Sequence, residues 1–164
     1  MTSRAWVRPS ARVLVLDPRQ RLLLSGGLQS RSDPGDVRHR STPGGGVEDG
    51  EDLRTAAVRE LAEEIGLLVE PAALEGPVWL RRWQGRWGDT LVDSREGFFV
   101  LRDVVHEVDV SGRTALEGQL DEPHRWWSLE EIARGSETFA PRDLATVLPR
   151  VLEGPWTGPP RFVG

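Results

Sequence analysis

Two short apolar runs open the readable pattern of the chain. Val13–Leu16 and Arg21–Leu24 flank the turn-forming pair Asp17-Pro18, which predicts two strands around a turn. From Gly26 to Thr42 the chain is polar and glycine-containing and carries Arg31, Arg38, His39 and Arg40, the composition of a surface loop leading into a strand or turn. Pro43-Gly44-Gly45-Gly46 breaks regular structure. The apolar period then lengthens to that of a helix over residues 52–65, with Gly66 placed to end it. Beyond the helix, Val78–Trp83, Asp89–Asp93 and Gly97–Arg102 read as three strands of a meander, with Gly85 and Gly88 in its first turn. Arg125–Ser128 reads as a short strand, followed by a short helix from Leu129 with Ser128 as N-cap. A last helix is predicted from Arg142 to Leu152, after Pro141. The tail from Gly154, rich in Pro and Gly, reads as irregular, with Trp156 and Phe162 available to dock it.

Neither a repeat nor a linker divides this series. Strands, helix, strands, helix predict a single mixed α/β domain over residues 1–164, with helices covering a sheet. Trp79, Trp83 and Trp87 recur at spacing four and so share one face of a strand, for core packing, a dimer interface or stacking on a base. Of Trp126 and Trp127, the alternation of a strand allows one to face inward.

Composition narrows the classes of function. A chain of 164 residues buries roughly two-thirds of its unfolded surface, and no apolar run is long enough to span a bilayer. The first residues lack the apolar stretch of a secretory signal, so a cytoplasmic protein without a membrane partner is expected. A net charge of −5 argues against general affinity for a nucleic-acid polymer. A small anionic substrate stays open, because a cation can supply positive charge locally. Cysteine is absent, which excludes disulfides and thiolate metal sites. All 21 basic residues are arginine, so no lysine serves as nucleophile, Schiff base or phosphate clamp.

The candidate chemistry lies on the first helix. At about 100° per residue, Glu60, Glu63 and Glu64 fall within one sector of about 100°. Leu53 and Ala57 share that sector, and Leu61 and Ile65 continue the apolar stripe beside it. The acids therefore border the buried face. Like charges at i,i+3 and i,i+4 each cost a helix about 0.2–0.5 kcal/mol, more where water is partly excluded. Arg59 offsets part of this through Glu63, in the weaker orientation. An acidic helix face is usually just solvated surface; a cluster at the rim of a core makes sense if something positive sits within it. With no cysteine and no histidine nearby, the donors are expected to be hard oxygens, which suit Mg²⁺ or Mn²⁺ better than zinc.

The wider segment decides between those readings. Gly45, Glu51, Arg59-Glu60-Leu61, Glu63-Glu64 and Gly66-Leu67 match G-x5-E-x7-R-E-U-x-E-E-x-G-U (U apolar) at every specified position. At about 6% usage per residue type, chance gives this on the order of once in a billion starts. The pattern is the Nudix box, and the chain resembles that family of hydrolases.

The resemblance implies an α/β/α sandwich on a mixed sheet. It implies that Glu60 and Glu64 are principal metal ligands and Glu63 a further one, and that the three carry catalysis. The carbonyl of Gly44 matches a position that reaches a metal. Gly45, Glu51, Arg59 and Gly66 match residues that shape the loop and helix. A further carboxylate from a later loop is implied, with Glu117 preferred over Glu122 and Glu96 third. Arg31, Arg38 and Arg40, just before the box, are candidates for contact with substrate phosphates. The reaction implied is metal-assisted hydrolysis, with Mg²⁺ or Mn²⁺, of a diphosphate linkage in a nucleoside triphosphate or nucleoside diphosphate derivative. Tyrosine is absent and no proline stands at the usual distance after the box, features of the dinucleoside-polyphosphate and ADP-ribose groups. The alternative is a regulator of the same fold that binds a nucleotide metabolite without cleaving it. Dimers are common in the family, which makes a homodimer the assembly the resemblance suggests.

Overall fold

The computed structural model of the protein describes residues 5–27, 39–108 and 122–164. Among the described residues, nine strands form two mixed sheets. One has the order β4 (Gly44–Gly46), β1 (Trp6–Val15), β6 (Thr90–Leu101), β5 (Glu75–Trp87), β9 (Arg161–Phe162). The other has the order β7 (Glu122–Trp127), β2 (Leu22–Gly27), β3 (His39–Ser41), β8 (Thr138–Ala140). A single bridge between Leu16 and Leu22 joins β1 to β2 across the Asp17 turn, where the Asp17 carboxylate accepts from Arg19 N at 3.0 Å and Arg21 N at 2.8 Å. The α/β/α expectation holds, with the sheet split in two.

Alternation along β1 and β2 sorts the core into two sides. Ala11, Val13, Val15 and Leu23 face α1 (Leu53–Ile65), whose Ala56, Ala57, Leu61 and Ile65 are buried against them with Phe99 and Leu101. Leu14, Leu16, Leu22 and Leu24 face the opposite way. They pack with Trp79, Phe98 and Ile132 of α2 (Leu129–Arg134), and with Leu144, Val147, Leu148 and Val151 of α3 (Leu144–Leu152). Since both faces are covered, both adjacent tryptophans find a core. Trp127 is buried on the α3 side and Trp126 packs on the α1 side, which corrects the expectation of one inward ring.

The predicted meander is a single long hairpin. Asp89–Asp93 and Gly97–Arg102, read as two strands interrupted at Ser94–Glu96, are joined in β6, which begins at Thr90, and Gly85 lies within β5. Polar residues are tolerated there because β5 supplies cross-strand arginines. Arg82 clamps the buried Asp93 at 2.7 and 2.8 Å, and Arg81 donates to the buried Glu96 at 2.8 Å. The tail is also better ordered than its composition predicts. Its β9 pairs in parallel with Trp79 and Leu80, and Arg142 N donates to Gly164 O at 2.9 Å. Arg102 joins Glu75 by two bonds of 3.0 Å and caps Val151 O and Gly154 O. Trp156 docks on the α3 core, while Phe162 stays exposed.

Candidate metal centre

Asp52 starts α1 by accepting from Thr55 N at 2.7 Å. Gly66 ends it at φ 71°, with Gly66 N and Leu67 N bonded back to Ala62 O and Leu61 O, the left-handed closure that glycine favours. Burial of Leu61 and Ile65 fixes the roll of the helix, so Glu60 and Glu64 turn toward β4, the strand that β1 holds over the helix.

At that crossing the backbone and the acids interlock. Gly44 N donates to Glu64 Oε2 at 2.8 Å. A Cβ on Gly45 would stand 2.4 Å from Glu60 Oε1, so glycine leaves the room that the carboxyl takes up. Gly44 has φ 146°, and a Cβ there would meet Ala11 O at 2.1 Å. The side chains of Glu60 and Glu64 are 14% and 15% exposed, against 51% for Glu63. Two carboxylates thus line a half-buried rim and the third projects into solvent.

Arg59 organises the loop before the helix. It makes two bonds to Glu51, at 2.7 and 2.9 Å, and donates to Gly46 O at 2.8 Å, Glu60 Oε1 at 3.1 Å and Glu63 Oε2 at 3.2 Å. Its hydrogen bond holds the Glu51 carboxyl down at about 2, helped by Glu48 N. Glu60 moves the other way. Burial, and then the charges of Glu64 and Glu63, push its carboxyl above the ordinary range despite Arg59. Arg59 alone does not neutralise the four carboxylates Glu51, Glu60, Glu63 and Glu64.

A NUDIX domain model matches residues 6–150. The chain belongs to the Nudix family. An RNA pyrophosphohydrolase from Dinoroseobacter shibae is 47% identical over 27% of this chain and 36% of its own length. Nudix hydrolase 25 from Arabidopsis thaliana is 41% identical over 27% of this chain and 33% of its own length. The match spans about a third of these curated relatives. Among solved structures, a MutT protein from Methanosarcina mazei Go1 aligns with TM-score 0.62 at 20% identity, over 92% of this chain and 99% of the other. The dihydroneopterin triphosphate pyrophosphohydrolase of E. coli aligns with TM-score 0.58 at 20% identity, over 87% and 94%. At such identities the structures speak for the fold.

Within the Nudix frame the structure brings Gly44, Gly45, Glu51, Arg59, Glu60, Glu63 and Glu64 together, with Gly66 closing the helix. The carbonyl of Gly44 points to Arg12 Nη1, 3.3 Å away, which also takes Thr42 O. Glu96 is not a loop acid. It sits buried in the middle of β6, held by Arg81 at 2.8 Å and Arg12 at 3.5 Å. Arg40 is engaged by Glu137 at 3.3 Å and lies over the ring of Trp127. Arg31, Arg38 and Glu117 lie outside the described residues, as does the side chain of Glu122.

Sequence reasoning missed three residues at this rim. Arg8 and Arg12 share a face of β1 with Trp6 and Ser10; a strand begun only at Val13 excludes them. Burial, then repulsion from Arg12, lowers the pKa of Arg8, while the charges of Glu60 and Glu96 oppose the shift; a Cβ on Gly46 would meet the Arg8 guanidinium, on the face of β4 opposite Glu60. The third is His124. Its buried imidazole brings Nε2 to 3.5 Å from Glu64 Oε1, which corrects the expectation that no histidine stands near the acids. The signal was the alternation Glu122-Pro-His-Arg-Trp-Trp, which puts His124 and Trp126 on the α1 face.

The acid dependence of metal binding follows from Glu60. A carboxylate ligates ions when ionised, and Glu60 keeps its proton to higher pH than an ordinary glutamate. Manganese affinity in a pH titration is therefore expected to fall with acid from a midpoint above 4.5, the ordinary value. A midpoint below it would contradict the arrangement.

Proposed function

We propose that the chain is a metal-dependent pyrophosphohydrolase acting on a small nucleotide derivative. The observation that carries this is the pair Glu60 and Glu64, half-buried, pressed against Gly44 and Gly45 and under-neutralised by Arg59. Nudix hydrolases as a family use divalent metal, and the hard-oxygen donors here fit Mg²⁺ or Mn²⁺. Among the described residues, no group of three or more acidic or imidazole side chains is placed to hold a metal ion by itself. Mg²⁺ is typically held by one or two carboxylates plus substrate phosphates.

Glu60 and Glu64 hold the cation, with Glu63 as a further donor at the solvent side. When bound, the cation supplies the charge that phosphate oxygens need and acidifies nearby water. The oxygen of water bonds to phosphorus, the bridging P–O bond breaks, and the water proton passes to a carboxylate of the chain. Glu60 and Glu63, both held by Arg59 at 3.1 and 3.2 Å, are the acceptors the helix offers. Arg59 and Glu51 keep the loop in place.

A base can be received beside this rim. Trp87 and Trp6 are 41% and 51% exposed, meet edge to face at 6.1 Å, and carry the Arg8 guanidinium 4.7 Å above the Trp87 ring. Trp79 is committed to the core against Phe98, so it is the far end of the tryptophan series that is free to stack. Trp87→Ala is expected to raise KM about tenfold for a nucleotide, with kcat little changed, since stacking on an exposed ring contributes about 1–3 kcal/mol per base. An unchanged KM would remove Trp87 from the substrate site.

The decisive assay is phosphate or pyrophosphate release from nucleoside triphosphates, sugar nucleotides and ADP-ribose, with and without Mg²⁺. A 5′-triphosphorylated oligonucleotide is included because one relative bears the name RNA pyrophosphohydrolase. Metal-dependent release from a small substrate supports the proposal. Binding without release favours the regulator reading, and preference for the oligonucleotide refutes the small-substrate reading.

A further inference from the structure

The imidazole of His124 has no part in the chemistry above, yet its position demands an explanation. The ring is fully buried on β7. Neither Nδ1 nor Nε2 has a hydrogen-bond partner within normal limits. Leaving a buried polar atom unsatisfied costs about 1–3 kcal/mol, so a histidine with two such atoms is a poor filler for a core position. An aliphatic residue would pack beside Trp126 at no such cost. The polar group facing Nε2 is Glu64 Oε1, at 3.5 Å. A closer approach of about half an ångström would make this an ordinary charge-assisted hydrogen bond.

We propose that His124 is a positioning residue for the metal centre. Its Nε2–H donates to Glu64 Oε1, while Gly44 N holds Oε2 of the same carboxylate at 2.8 Å. One anchor leaves a carboxylate free to rotate about its terminal bond. Two anchors, one on each oxygen and from different elements, fix its plane and leave the remaining lone pairs for the cation. The burial of Nε2 places the ring behind Glu64, away from solvent, which favours an orienting role over direct ligation. The inference rests on Glu64 being a metal ligand, and it extends the site from α1 and β4 to the second sheet. Partners of this kind typically change metal affinity or activity by about 10–100-fold.

Two measurements test it. With three histidines in the chain, long-range ¹H–¹⁵N NMR of the imidazoles reads the tautomer of His124 in the wild-type protein. The Nε2–H form is expected with and without Mg²⁺; the Nδ1–H form would overturn the proposal, because Nε2 then has no proton to give. In Mn²⁺ titrations followed by EPR, His124→Leu is expected to weaken binding about 10–100-fold. His124→Gln, which keeps a donor near the Nε2 position, should recover most of the loss. The kcat at saturating metal should change less than the metal dissociation constant. Unchanged affinity in a folded His124→Leu protein would overturn the role of His124 alone. Nitrogen coupling to bound Mn²⁺ in pulsed EPR of the wild type would overturn it too, by making the ring a ligand. If the Leu variant fails to fold, the tautomer and the nitrogen coupling still decide. Wild-type protein that binds no Mn²⁺ would refute the metal reading itself, and this inference with it.

Discussion

Glu60→Gln is expected to lower turnover by more than ~10²-fold while the metal-free protein melts no lower than wild type. The first half follows from ligation: groups that merely orient ligands are worth about 10–100-fold, and a direct ligand should exceed them. The second half follows from charge. Burial and two neighbouring carboxylates raise the proton affinity of Glu60, so above the unfolded value of 4.5 its ionised form opposes folding. Glutamine keeps the shape and removes that opposition, at the loss of one bond to Arg59. A residue kept for structure would show the reverse, a lower melting temperature with activity in proportion. Steady-state kinetics and thermal melts of the two proteins separate these outcomes, and near-full activity in the variant would remove Glu60 from the mechanism.

Arg59→Met is expected to damage stability and turnover together. The variant leaves Glu51 with only Glu48 N among the partners described above, uncaps Gly46 O and frees the loop that holds Gly44 and Gly45 over the helix. Breaking an ion pair of this kind costs about 2 kcal/mol, reduced from the fully buried case because both partners retain some contact with water. The pH dependence carries the sign. The carboxyl of Glu51 lies at about 2 in the fold against 4.5 when unfolded. Its contribution is thus complete above about 4.5 and is lost as pH falls toward 2. Denaturant melts between pH 7 and 2.5 should show wild type losing its advantage over Arg59→Met across that window. A gap that stays constant with pH would place the stabilisation elsewhere.

The helix and its acids were legible in the sequence because they depend on local chemistry. Asp52 and Gly66 announce the ends, and the spacing of Leu61 and Ile65 fixes the face that Glu60 and Glu64 border. Partners that come from other elements were not. Ser94–Glu96 reads as a break until Arg82 and Arg81 arrive from the neighbouring strand to pair Asp93 and Glu96. The same pairing that makes β6 continuous removes Glu96 from the list of free acids. Arg8 and Arg12 went unassigned because β1 was read only where it is apolar, and His124 fell one residue before the predicted start of its strand. Each omission has the same cause: the surroundings of a polar strand residue come from elements distant in sequence. The ordered tail belongs with them, since its anchors, Arg142 and Arg81, contact Gly164 through folding alone.

The central claim is that α1 and the Gly44 turn hold a divalent cation between carboxylates that would otherwise repel. Anomalous diffraction at the manganese edge, from crystals grown with Mn²⁺ and a non-hydrolysable nucleoside triphosphate analogue, tests it most directly. The account predicts a peak within coordination distance of Glu60 and Glu64, bridged to phosphate oxygens. Phosphates bound at this rim with no metal beside those two side chains would contradict it.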